Sequence, residues 1–258
     1  LSQIEIIETE PVMKIISFLL LFTICVMPLS AAAEQVFHSG NNRVSVLELY
    51  TSEGCSSCPP ADRWLSGLKE DSRLWNELIP VAFHVDYWNY IGWSDRFAAA
   101  RYSDRQRRYA RSKNVSTVYT PGFILNGKEW RSYFGLRRLS LDDDAAGVLK
   151  IRIEGDHITG SYTPARSGSD SVTINIAILG FGLETQVKAG ENRGKTLHHD
   201  FTVLGLVQRM MKREGDSFTV SGGLPDVSVA APHMAVAAWV NGHGDQTPLQ
   251  ATGGWLTK

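Results

Sequence analysis

The sequence predicts an α/β domain over residues 34–145 followed by a β-rich, sandwich-like domain over residues 146–258. Two observations carry this. In the first half, short apolar strand patterns alternate with stretches of helical spacing. After about Gly147 the helical spacing stops, and alternating runs separated by Gly, Ser and Asp turns replace it. Asp142-Asp143-Asp144 sits at the change and marks the boundary.

Ahead of both stretches lies a leader. Met13-Lys14 precedes an apolar run over 15–27, then Pro28, then Ala31-Ala32-Ala33 before Glu34. A basic start, a short apolar segment and an Ala-x-Ala site predict a signal peptide cleaved after Ala33, with residues 1–12 upstream of the true start. The apolar run is too short to span a bilayer comfortably, so no membrane span is expected once the leader is removed. The expected location is periplasmic or secreted. With 26 Lys and Arg against 27 Asp and Glu, the chain is near neutral, which argues against a nucleic-acid partner. Arg96, Arg101, Arg105, Arg107, Arg108, Arg111 and Lys113 cluster, but Asp95 and Asp104 intervene and the stretch reads as a solvated helix face.

The elements follow in order. Residues 44–50 (VSVLELY) read as a strand, and 61–69 place Trp64, Leu65 and Leu68 at helical spacing. Residues 79–85 form a second strand, and 94–113 one or two helices. Gly122-Phe123-Ile124-Leu125 runs into Asn126-Gly127, the dipeptide of a type I′ hairpin. Beyond the boundary, 149–154 and 158–162 flank a Gly155-Asp156 turn, 172–178 alternate cleanly, and 196–203 do so in part. Residues 217–220 and 234–240 complete the β-rich set.

Between the first strand and the first helix lies Ser52-Glu53-Gly54-Cys55-Ser56-Ser57-Cys58-Pro59-Pro60. Cys25 falls in the leader, so Cys55 and Cys58 are the cysteines of the exported chain. One Cys-x-x-Cys in an oxidising compartment points to redox work. A permanent staple is a poor reason for this spacing, because so short a loop removes little unfolded-state entropy. At a helix start, unpaired N–H groups and the dipole stabilise a thiolate, and exchange then proceeds through a mixed disulfide. Pro59-Pro60 complicates this: proline lacks the N–H to bond back to Cys55, so the helix is expected to begin near Pro59 with Cys58 close to the cap.

The strand–Cys-x-x-Cys–helix unit, Thr120-Pro121 before a hairpin, and Glu48 on the preceding strand together resemble the thioredoxin fold. That resemblance implies a cis-proline at Pro121 facing the cysteines and a Thr120 backbone available to an extended substrate. It implies Cys55 as the exposed nucleophile and Cys58 as the resolving thiol. Glu48 would stand for the buried acid that moves protons at the resolving cysteine, although its spacing to Cys55 is one residue longer. More closely, segments 51–62, 83–93, 190–199 and Gly253-Gly254-Trp255-Leu256 are similar to a proteobacterial family of secreted thioredoxin-like proteins of unknown function. The likeness spans almost all of residues 34–258 and brings no established activity.

Other constellations are less pointed. His84-Val85-Asp86 and His198-His199-Asp200 hold histidines that could join Cys55 and Cys58 around Cu(I) or zinc. His199 alternates with Leu197, Phe201 and Val203, which reads instead as a packed strand histidine. Tyr87, Trp88, Tyr90 and Trp93 either pack beneath helices or line a groove for an extended peptide. Gly190-Glu191-Asn192-Arg193-Gly194 lacks the ending of a phosphate loop and reads as a structured turn. The expectation is a periplasmic or secreted thiol-disulfide oxidoreductase acting on protein or peptide thiols, with a redox partner protein and no cofactor. Tyr87, Trp88, Thr120 and Pro121 would lie at the substrate. The alternatives are a Cu(I)- or zinc-binding or delivery protein, and a non-enzymatic binding module with a structural disulfide.

Overall fold

The computed structural model describes residues 2, 34–131, 139–166, 171–227 and 229–257; the leader predicted over 13–33 lies outside them. In chain order the first-half elements are β1 (Gln35–His38), β2 (Ser45–Thr51), α1 (Pro59–Gly67), β3 (Leu78–His84), α2 (Ala100–Arg111), β4 (Gly122–Leu125) and β5 (Lys128–Glu129). Then come β6 (Gly147–Glu154), β7 (His157–Pro164), β8 (Val172–Phe181), β9 (Leu183–Gln186) and β10 (Thr196–His199). The last are β11 (Thr202–Met210), β12 (Lys212–Glu214), β13 (Ser217–Gly223), β14 (His233–Gly242) and β15 (Pro248–Trp255).

β2 and β3 are buried at every position, as strands are when both faces of a sheet are covered. They pair in parallel, and β2 pairs antiparallel with β4. β4 returns as β5 through Asn126-Gly127, whose φ angles of 47° and 81° are the two positive values a type I′ turn demands.

The expected thioredoxin-like α/β domain is not what forms. Strands dominate the described residues, which hold two α-helices of 9 and 12 residues. One eight-stranded sheet, ordered β15-β14-β8-β11-β3-β2-β4-β5, takes strands from both sides of residue 145. The join is at β3, where Ala82 N–H donates to the Phe201 carbonyl at 2.8 Å and β11 lies parallel. β1 likewise leaves the first half to pair with β6 in a five-stranded sheet, β1-β6-β7-β13-β12. The physical reason is that local spacing finds a strand but not its neighbour: β3 has an open edge, and β11 closes it.

Two cores result from strand alternation. On β8 and β14, Ile174, Ile176, Ile178, Val236, Ala238 and Val240 pack with Leu149, Ile151, Ile153, Ile158, Tyr162 and Phe218 of the five-stranded sheet. The opposite faces, including Ala177, Leu179, Phe181 and Trp239, join the core around β2 and β3. Helix α2 covers that core with Tyr102, Arg105, Gln106 and Tyr109 buried, so the basic stretch is not wholly a solvated face. Arg107 and Arg111 are exposed, whereas Arg105 points inward. Arg105 Nε and Nη2 donate to the Glu48 carboxylate at 2.9 and 2.7 Å, and Tyr50 and Tyr109 hydroxyls donate to it at 2.7 Å each. Among the described residues no helix is long and apolar enough to cross a membrane.

Candidate thiol site

The loop after β2 folds tightly on itself: Cys55 N–H donates to the Ser52 carbonyl at 3.1 Å and Cys58 N–H to the Cys55 carbonyl at 3.2 Å. Gly54 is required there, since a Cβ at that position would lie 2.9 Å from Trp88 Cβ. Helix α1 begins at Pro59 with Cys58 as its N-cap residue. Pro59 and Pro60 bring no N–H, and those of Ala61 and Asp62 both point to the Cys58 carbonyl, at 2.8 and 3.1 Å. The helix start therefore leaves few donors for a thiolate.

Cys55 and Cys58 are unbonded thiols, both buried. Their acidities are pulled apart. Hydrogen bonding from the Cys58 thiol is the largest influence on Cys55 and lowers it to about 6 against the opposing effect of burial, with the Ser57 and Thr120 hydroxyls assisting. Ser57 Oγ lies 3.3 Å from Cys55 Sγ. Cys58 is pushed well up, first by burial, then by its bond to Cys55, then by the charge of Asp62.

The Thr120–Pro121 peptide is cis. Trp88 Nε1 donates to Thr120 Oγ1 at 2.8 Å. Tyr87 donates its hydroxyl to Gln106 at 3.1 Å, and Gln106 in turn donates to the Tyr119 carbonyl at 2.6 Å. Burial, followed by the charge of Cys58, raises the Tyr87 hydroxyl. Tyr87, Trp88 and Thr120 thus gather beside the cysteines, while Tyr90 projects into solvent. Glu48 does not join them. It lies three positions from Thr51 on the same strand and so faces the opposite side of the sheet, where Arg105 and two tyrosines take up its oxygens. The Thr51 face is the one beside Cys58 and Asp62.

Two residues that sequence reasoning missed complete the site. Asp62, four positions after Cys58 in one helix, stands on the same face and is the acid beside it; that spacing alone could have found it. Asn192 is buried, and its Nδ2 donates to the Glu53 and Cys55 carbonyls at 2.9 Å each. Next to it, the Glu191 carboxylate accepts the Ser56 N–H at 3.0 Å; the Ser56 hydroxyl first, and then this N–H, lower its pKa. The turn 190–194 is therefore a strap across the cysteine loop. Asn192→Ala would leave two carbonyls without their donor, so we expect a loss of about 1–3 kcal/mol in denaturant unfolding. Alkylation of Cys55 should also quicken; an unchanged alkylation rate would mean the strap does not guard the thiol.

Behind the cysteines, His84 Nδ1 lies 2.7 Å from Asp95 Oδ2, and His199 Nε2 lies 3.3 Å from Glu53 Oε1. His199 is buried on β10, as its alternation with Leu197 implied, but among ionisable neighbours. Among the described residues no group of three or more His, Cys, Asp or Glu is placed to hold a metal ion.

Residues 46–241 match the model of a family described as "Protein of unknown function (DUF1223)". The chain belongs to that family. The matched span includes the cysteine loop, the cis-proline, the strap and both buried histidines. An uncharacterised protein of Agrobacterium tumefaciens, solved by X-ray crystallography, is 25% identical with a TM-score of 0.57, over 83% of this chain and 95% of its own. HBP35 of Porphyromonas gingivalis is 16% identical with a TM-score of 0.57, over 84% of this chain and 76% of its own, a likeness of fold alone. No curated protein matches the chain. Family membership thus leaves the chemistry to be argued from the site.

Proposed function

We propose that this chain is a periplasmic or secreted thiol-disulfide oxidoreductase acting on protein or peptide thiols. The observation that carries the reading is the asymmetry of the cysteine pair: Cys55 lowered to about 6, Cys58 raised beside a buried acid. At neutral pH this makes one sulfur a ready nucleophile and keeps the other protonated as its hydrogen-bond donor. Cys55 thiolate attacks a substrate disulfide and releases one thiolate. Cys58 then loses its proton and bonds to the Cys55 sulfur, breaking the bond to the substrate. The protein's dithiol is oxidised and the substrate disulfide reduced to two thiols; the reverse sequence donates the disulfide. Tyr87, Trp88, Thr120 and Pro121 form the wall that meets the substrate. Cys55 is only 1% exposed, so a protein partner engages it by displacing the strap or presenting an extended segment.

The test is equilibration of the purified chain from Glu34 onward across dithiol/disulfide buffers. A reversible two-electron transition is expected, and Cys55→Ser should lose it. A pair that stays in one state at every buffer ratio would sink the proposal.

A further inference from the structure

Among the described residues, β9 and β10 belong to neither large sheet and pair with each other. The tip of this ribbon, residues 187–195, reaches the cysteine loop and is fixed there. Gly194 N–H donates to the Val187 carbonyl at 2.8 Å and Val187 N–H to the Lys195 carbonyl at 3.0 Å, closing the tip on itself. Lys195 Nζ donates to Asn192 Oδ1 at 2.9 Å, so the Asn192 amide is held from both ends. Gly190, at φ 72°, packs against the aromatic loop: a Cβ there would lie 3.1 Å from Ile91 Cδ1 and 3.4 Å from Trp93 Cβ. The backbone of the strap is thus seated, and the exposed Glu191 side chain is the part that can turn.

Glu191 ends on the N–H of Ser56, the residue that directly follows Cys55. Neighbouring N–H groups of the loop point into the fold. Glu53 donates to Asp95 Oδ2 at 2.9 Å, Gly54 to Ser52 Oγ at 3.1 Å, Cys55 to the Ser52 carbonyl at 3.1 Å and Cys58 to the Cys55 carbonyl at 3.2 Å. Ser56 instead is exposed, and its N–H meets an acceptor 135 positions further along the chain. That acceptor is a carboxylate oxygen, whose place a backbone carbonyl oxygen can take. The sulfur of a substrate cysteine is only a few bonds from its own carbonyl. A disulfide formed on Cys55 therefore brings that carbonyl to the next N–H of the chain.

Resting on the thiol-exchange reading, we infer that the Ser56 N–H is the donor that receives the substrate's backbone carbonyl, and that Glu191 holds this donor until the substrate takes it. Glu191 is then a specificity-determining residue. A cysteine within a peptide displaces its carboxylate and docks before attack. A disulfide with no carbonyl beside its sulfur meets Cys55 but gains nothing at Ser56. The substrate class selected is the disulfide of a peptide or protein cysteine, against small disulfides that lack a backbone. Occupation by Glu191 weakens docking by the fraction of time the donor is taken and leaves the exchange step itself unaltered.

Stopped-flow mixing of the reduced protein with a capped, uncharged cysteine peptide, disulfide-linked to a para-thiopyridine, tests this. The Cys55 thiolate bonds to the peptide sulfur, the peptide–thiopyridine bond breaks, and the thiopyridine leaves as a coloured thiolate. Glu191→Ala should lower the peptide concentration that gives half the limiting rate about fivefold, with the limiting rate itself unchanged. Glu191→Gln, whose amide oxygen still accepts an N–H, should fall between the two. The symmetrical para-dipyridyl disulfide releases the same colour but has no carbonyl, and its rate should be equal in all the variants. An unmoved half-maximal concentration, or a Gln variant that matches the Ala variant, would overturn the inference. An equal gain for the dipyridyl disulfide would also overturn it, by showing that Glu191 merely covers the sulfur. No colour from either disulfide in the unaltered protein would instead overturn thiol exchange itself. Should Glu191→Ala unfold the protein, the Ser56 amide NMR signal of the unaltered chain decides. A redox-inert peptide with serine in place of its cysteine should shift that signal, and an unmoved signal overturns the assignment.

Discussion

Arg105→Met should lower the unfolding free energy by about 3–5 kcal/mol in chemical denaturation, among the largest losses a single substitution can cause. Arg105 and Glu48 are each 1% exposed, and the pair is two-pronged. Removing the guanidinium strands a carboxylate in the core, still facing the Tyr50 and Tyr109 hydroxyls that donate to it. Those hydroxyls are themselves pushed well up by burial and by Glu48, so they remain protonated donors and cannot replace the lost cation. Replacing both partners at once, Glu48→Leu with Arg105→Met, should recover much of the loss, since apolar groups can substitute for a buried pair. The two tyrosine hydroxyls would then cost about 1 kcal/mol each, less for Tyr109, which also reaches the Gln246 carbonyl at 3.0 Å. A single-variant loss under about 1 kcal/mol would show that the pair is a surface-like contact.

Cys58→Ala should raise the pH at which Cys55 ionises. In the unaltered reduced protein, thiolate absorbance should reach half its amplitude at about pH 6. The first cause of that value is the hydrogen bond from the Cys58 thiol, a donor to the charged form; removing it favours the neutral thiol, and the midpoint moves up. A rise of roughly one unit would cut the thiolate fraction at pH 7 from about nine-tenths to about half. The variant should also stop after one step, holding a substrate thiol on Cys55 with no second sulfur to release it. An unmoved midpoint would transfer the activation to Ser57, Thr120 and the backbone.

What could be read from the residues alone was local. β2, β3 and the Asn126-Gly127 hairpin announce themselves because each depends on neighbours within a few positions. The start of α1 at Pro59 followed from two missing N–H groups. The expectation of a thioredoxin-like fold failed because the edge that β11 takes on β3 leaves no trace in either strand's own pattern. β1 was missed for a related reason: four residues alternating between half-buried and exposed are weak until β6 pairs with them. At the site, Glu48 drew attention by likeness, yet strand parity sends it to the other face. Asp62 was available from helical spacing, whereas Asn192 and Glu53 depend on a contact across 139 positions that no periodicity encodes.

The pairing of β3 with β11 also has a consequence for how the chain is made. Contacts between residues this distant in sequence form late, because the intervening loop must close first. β11, β10 and Asn192 follow Cys55 and Cys58 far along the chain. Until they arrive, the cysteine loop lacks its strap and β3 keeps an open edge. The partly folded protein is therefore most exposed to edge-to-edge association during that interval, and a chain cut short before β11 would never leave it.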